Sequence, residues 1–231
     1  MKPLTVIQHT SADYLGLMED HLEGRNIGFS YVRPFTETGR TPEFSEVGGA
    51  LVLLGGGPWG SAGSRDVPTL NEEVSLTRAC LLHEVPVIGI GLGAQILALA
   101  AEGDAAKDDL RFEVGHARRI RDDALNGYLP DRFPHVRYMR DRPVPPPYAT
   151  VLAEDDAGLP SVFQIGGNAF GFTGHPGFKL AMAEDLIMEF EESPPEPAAQ
   201  LDKLRAAKAE IEDALVPIMT GLVQMTGLMR A

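Results

Sequence analysis

The sequence predicts an α/β fold, a three-layer sandwich with a mostly parallel central sheet, a small antiparallel sheet and a C-terminal helical extension. Three observations predict it. Short apolar runs alternate with helix-periodic stretches between residues 4 and 101, as they do when strands pair in parallel through helical crossovers. Two of those runs stop in glycines, at 55–57 and 89–93, and the carboxyl ends of parallel strands are where such sheets bind ligands. Past a proline-rich break at Ser193–Pro197, apolar residues recur at helical spacing.

Leu4 to Gln8 is an apolar run suited to a buried strand. Ser11 is placed to cap a helix with apolar positions at Tyr14, Leu15, Met18 and Leu22. Strands are expected at Ile27–Val32 and Ala50–Leu54. Leu70, Val74, Leu76, Cys80 and Leu81 give Thr69–Val85 a helical period. Pro86–Ile90 is a further buried strand, followed by a helix from Ala94 to Ala101.

The middle is less regular. Strands are expected at 112–120 and 136–139, then an extended loop forced by Pro143, Pro145, Pro146 and Pro147. Three antiparallel strands follow, at 149–153, 161–165 and 169–173. In the tail, Ile211, Leu215, Ile218, Leu222, Met225 and Met229 alternate spacings of four and three, and Pro217 predicts a kink or two helices in series. That stripe fits packing on the chain's own core and a homodimer contact through the 211–229 helix equally well. The expected division is a main domain over 1–192, a linker over 193–197 and a helical tail over 198–231.

The 231 residues, 44% of them hydrophobic, suffice for one α/β domain with an appendage. A net charge of −13, from 20 basic and 33 acidic residues, disfavours a nucleic-acid or anionic-membrane surface. The single cysteine, Cys80, rules out an internal disulfide and a cysteine-built zinc site. His9, His21, His83, His116 and His135 show no metal-ligand spacing. No stretch nears the ~18 apolar residues of a membrane span, and the N-terminal run reads as a strand, not a signal peptide. A soluble cytoplasmic protein without metal or cofactor is expected.

Pro86-Val87-Ile88-Gly89-Ile90-Gly91-Leu92-Gly93-Ala94-Gln95 turns a buried strand into a helix through three glycines. That is the pattern of a nucleophile elbow, whose central residue sits in a strained conformation at a helix N-terminus. Leu53-Leu54-Gly55-Gly56-Gly57-Pro58 is a second glycine-rich strand end, and Asn168 to Gly177 carries His175 before Pro176.

In order and spacing, these three segments resemble those of class I glutamine amidotransferases. That family's elbow runs Pro-Val-Leu-Gly-Ile-Cys-Leu-Gly-x-Gln, and every place but one is matched or conservatively replaced here. The exception is Gly91, where the family mounts the cysteine that attacks the glutamine amide and forms a thioester. Gly56 and Gly57 fall on the strand end whose N–H groups help form the oxyanion hole. His175 falls on the catalytic histidine, Gly177 on the glutamate that orients it, and Gly174 replaces a phenylalanine. From His135 to Gly177 the chain is similar to stand-alone GMP-synthase-like members, with Met139 in a histidine's place and Asp141 keeping the aspartate. The resemblance covers about residues 3–185. It implies a flavodoxin-like sandwich and a ligand site at Gly56, Gly57, Gly91, Leu92, Gln95 and His175. It also implies that the partner is a synthase or ligase subunit.

A thiolate, an imidazole and a carboxylate act as a unit in such a glutaminase, and losing one member costs powers of ten in rate. Two are missing here. The sequence therefore reads as a pseudo-glutaminase, a binding or regulatory subunit. Two alternatives keep catalysis: non-thiol chemistry in the same pocket, with Asp141 and Glu113 as acid–base groups, or an amidotransferase subunit completed by a partner chain. Gly89-x-Gly91-x-x-Ala94 also matches part of a dinucleotide fingerprint, but at a later turn than that motif requires. Cys80 reads as a buried apolar residue, and His175 as filling the old pocket with its ring bonded to backbone.

Overall fold

In a computed structural model of the chain, which describes residues 2–229, the elements run β1 (Leu4–Ile7), α1 (Met18–Glu23), β2 (Phe29–Val32), β3 (Leu51–Leu53), α2 (Leu70–Leu82), β4 (Val87–Ile90), α3 (Leu92–Ala100), β5 (Asp104–Ala106), β6 (Arg111–Arg119), β7 (Arg132–Met139), β8 (Arg142–Val144), β9 (Thr150–Asp155), β10 (Pro160–Ile165), β11 (Ala169–Phe172), α4 (Leu180–Glu189) and α5 (Pro197–Thr226). Nine strands form one sheet in the order β2-β1-β3-β4-β11-β10-β9-β6-β7, and β5 pairs with β8 in a separate antiparallel ribbon. The block β2-β1-β3-β4-β11 is parallel. From β11 outward the pairing is antiparallel.

Side-chain alternation sorts the strand residues onto two faces. Leu4, Val6, Val52, Ile88, Ile90 and Phe172 cluster with Met18 and Leu22 of α1 and with α5. Ile7, Leu51, Leu53, Val87 and Phe163 cluster with α2 and α3. The result is the flavodoxin-like three-layer arrangement. A third cluster joins α4 and the first half of α5 to β6 and β7 through Phe112, Val136, Met182, Leu186 and Leu204. No helix among the described residues is long and apolar enough to cross a membrane.

Three local expectations change. The helix expected from Ser11 begins only at Met18, and residues 8–17 are irregular. Gly16 is left-handed (φ +63°), and the N–H groups of Asp13 and Leu15 bond Thr10 Oγ1 and Tyr31 Oη instead of carbonyls one turn back. Helix α4 and the β5–β8 ribbon occupy stretches given no such element above. Helix α5 runs unbroken through Pro217, held on either side of the proline by buried Leu215 and Ile218, so two helices in series do not occur. Its stripe is consumed within the chain: Ile211, Leu215, Ile218 and Leu222 are at most 3% exposed. The surface a homodimer through the 211–229 helix would use is therefore already covered, leaving mainly Val216 and Met229 at the surface.

Candidate functional site

Four neighbouring parallel strands, β1, β3, β4 and β11, deliver their carboxyl ends to one edge of the sheet. The segments that leave them carry His9 and Asp13, Gly55–Gly57, Gly91, and Thr173–Gly177. Gly91 N-caps α3 with φ +56° and ψ −112°, the strained geometry of an elbow, and its N–H donates to Phe172 O at 2.8 Å. The three elbow glycines are not equivalent. A β-carbon at Gly89 would overlap the Gly93 backbone, and one at Gly93 would overlap the Leu53 carbonyl. At Gly91 a β-carbon would meet only Gly55 Cα, at 3.4 Å. The outer glycines let strand and helix touch; the central one leaves room for a side chain that is not there.

The adjoining strand end closes over this space. Gly57 is also left-handed (φ +55°) and lies against Phe190 and Leu186 from the end of α4, while Gly56 lies against Leu92 and Trp59. Gly91 and Leu92 are buried. A cavity of about 80 Å³ opens between His9, Phe35, Trp59 and Thr69, and neither Gly91 nor His175 lines it.

His175 is 6% exposed, and both ring nitrogens are engaged. Nε2 lies 2.8 Å from Tyr14 O, so it carries the proton and donates; Nδ1 accepts from the Gly177 N–H at 3.1 Å. Burial pushes its pKa down to about 4, so the ring is neutral at ordinary pH. No carboxylate orients it. At Gly177, a β-carbon would sit 3.0 Å from Met18 N and 3.2 Å from Leu17 N, so the start of α1 fills the direction a side chain would take. At Gly174 the His135 ring takes the corresponding space. His135 bonds Thr173 Oγ1 at 2.8 Å and is likewise pushed down to about 4, by burial and then by Arg137.

A second group of ionisable side chains stands on the other flank of Gly55. His9 places Nε2 2.7 Å from Glu73 Oε2 and Nδ1 3.1 Å from Gly55 O. Both neighbours are acceptors, so a ring that satisfies both is an imidazolium. Burial alone would lower its pKa, but Glu73, the Gly55 carbonyl and Asp13 outweigh that and hold it above its ordinary value. Glu73 is fully buried, and its other oxygen accepts from Thr69 Oγ1 at 2.5 Å. Asp13 packs its carboxyl against Gly55 Cα and leaves Oδ1 buried without a hydrogen-bond partner. Burial, opposed by His9 and aided by Glu189, lifts its pKa to about 7.

Gly56, Gly57, Gly91 and Leu92 thus come together. Gln95 lies below them on α3, with its amide taken by Ser61 Oγ (2.5 Å) and Arg140 O (2.7 Å), bonds that tie the 58–62 loop down. Asp141 accepts from the N–H groups of Ser61, Ala62 and Asp108 and staples two loops together. Glu113 lies on β6, four strands from β4 and so roughly 19 Å away, where it pairs with Arg137 at 2.5 Å. Cys80 is buried in α2 with its thiol pushed up to about 11, which leaves it inert. No cluster of potential metal ligands occurs among the described residues. His9, Asp13 and Glu73 are the site's ionisable residues that sequence reasoning missed. The one local signal was the polar Gln8-His9-Thr10 at the end of an apolar run.

A family model described as glutamine amidotransferase class-I matches residues 20–189. Among solved structures, the chain is similar to a glutamine amido transferase from Methylobacillus flagellatus, at 20% identity over 97% of this chain and 95% of that one, with a TM-score of 0.81. It is similar to a glutamine amidotransferase from Thermotoga maritima at 24% identity over 97% of each chain, TM-score 0.77. It also resembles a protein from Thermoplasma acidophilum described as a putative GMP synthase subunit, at 16% identity over 92% of this chain and 98% of that one, TM-score 0.59. Identities this low establish a common fold and no more. No curated protein matches the chain. The family model spans most of the chain, from α1 through α4, and on that ground the chain belongs to the class I glutamine amidotransferases.

Proposed function

We propose that this chain is a non-catalytic member of its family, a pseudo-glutaminase that serves a synthase or ligase in a binding or regulatory role. The observation that carries this reading is Gly91. A thioester needs a nucleophile at the elbow, and glycine offers none. The surroundings of His175 support it: its Nε2 proton is committed to Tyr14 O and no carboxylate stands behind the ring. A histidine in that state accepts a proton from a thiol only after breaking its present bond. The similarity to a protein described as a GMP synthase subunit supports the partnership with a synthase.

The test is glutamate and ammonia release from glutamine by the purified protein and by Gly91→Cys. Both stay at background, although a cysteine fits the space at position 91. Release above background by either protein ends the non-catalytic reading. Recovery only on addition of a purified synthase subunit supports the version in which a partner completes the site.

A further inference from the structure

We infer that residues 8–17 form a strap closed over the elbow, latched by Glu189 and hinged at Gly16, and that lifting it is the route by which a ligand reaches Gly91. This concerns regulation of the site proposed above and rests on its being a binding site.

The segment touches every part of the site and has no regular structure of its own. Asp13 lies against Gly55, the glycine nearest the vacant position at 91. The Tyr14 carbonyl takes the Nε2 proton of His175. Gly16 packs on the Gly177 carbonyl, and Leu17 N–H donates to that carbonyl at 2.9 Å. One short stretch thus occupies the imidazole, the space beside Gly177 and the wall of the elbow.

The fastenings are weak and lie at the surface. Glu189, an exposed residue at the C-terminal end of α4, accepts from the N–H groups of Ser11 (3.3 Å) and Ala12 (3.2 Å). A carboxylate at a helix C-terminus faces the unfavourable end of the dipole, so its gain comes from these two bonds alone. Tyr31 Oη accepts from Leu15 N–H at 3.0 Å and donates to Glu19. Beneath the strap, Asp13 keeps an unpartnered oxygen, a bond that closure leaves unmade. Gly16 is the natural hinge, because its left-handed φ and its contact with Gly177 exclude any β-carbon in the closed position. Segments with few backbone bonds and superficial side-chain ties open below the free energy of global unfolding.

Hydrogen exchange of the ligand-free protein tests the strap, whatever becomes of glutaminase or ligand-binding assays. The amides of Asp13, Leu15 and Leu17 should exchange at least tenfold faster than those of β1 and β4, with little dependence on denaturant. Glu189→Ala should speed them about three- to tenfold further and leave β1 and β4 unchanged. Gly16→Ala, which cannot close, should free His175, and its imidazole titration should rise from about 4 toward an ordinary histidine value. Exchange of the strap only together with the core overturns the inference. So does a Glu189→Ala protein with unaltered strap exchange, or a folded Gly16→Ala protein in which His175 still titrates as in the parent.

Discussion

Position 91 shows how one residue carries two separable properties, backbone strain and chemistry. Its backbone keeps the φ +56° an elbow needs, while its side chain is gone. Gly91→Cys should therefore fold and cost about 1–2 kcal/mol, the penalty for a side chain at an unfavourable φ, since sterically only Gly55 Cα stands near; urea unfolding measures it. Asp13 makes a different prediction. A carboxyl whose pKa is raised on folding stabilises most below its unfolded pKa, near 4, and that stability is lost as pH climbs toward about 7. His175, whose pKa is lowered, opposes it: its contribution is intact above about 6.5 and fades as pH falls toward about 4. Asp13→Asn removes the first effect. It should gain about 1–3 kcal/mol over the parent at pH near 8, with little gain near pH 4; unequal midpoints in urea at the two pH values are the readout, and equal ones refute it. Gly91 and His175 were legible in the sequence because each sits inside a short, ordered motif. The His9–Glu73 pair was not, because its members stand 64 positions apart and nothing near either residue marks the other.

Elements followed the strength of their local signal. The strands β1, β3 and β4 are apolar runs ended by polar or glycine residues, and all three were legible to within two residues. Segment 8–17 misled because Ser11 and the spacing of Leu15, Met18 and Leu22 satisfy the rules for a helix start. Its turn residues, bonded to Thr10 and Tyr31 side chains, won instead. The tail helix was legible as a helix, but a lone stripe does not say what it packs against. Its docking depends on Gly221, where a β-carbon would come within 2.7 Å of the Leu125 carbonyl oxygen and Cβ. Gly221→Ala gains helix propensity of about 1 kcal/mol but forces α5 off the Ala124–Gly127 turn. The expected balance is a net loss of about 1–2 kcal/mol, read as a lower urea midpoint; a stabilised variant would show that the contact yields easily.

The molecule as a whole is closed by that helix. Leu215, Ile218, Met219, Leu222 and Val223 belong to the same cluster as the strands of the parallel block. At about 1.5–3 kcal/mol for each buried side chain, they contribute roughly ten kcal/mol, comparable to the ~5–15 kcal/mol that keeps an ordinary domain folded. We propose that residues 1–196 do not fold alone. A chain ending at 196 should lose its near-ultraviolet dichroism and bind a hydrophobic dye; a cooperative, dye-free unfolding transition would show that the tail is dispensable. The same arrangement sets a timetable for synthesis. A nascent chain can assemble β1 to β4 early, yet one face of that sheet stays bare until residue 223 has left the ribosome. During that interval the exposed face is a target for chaperones and for other nascent chains, so yield in the cell should follow how fast translation carries the last helix clear.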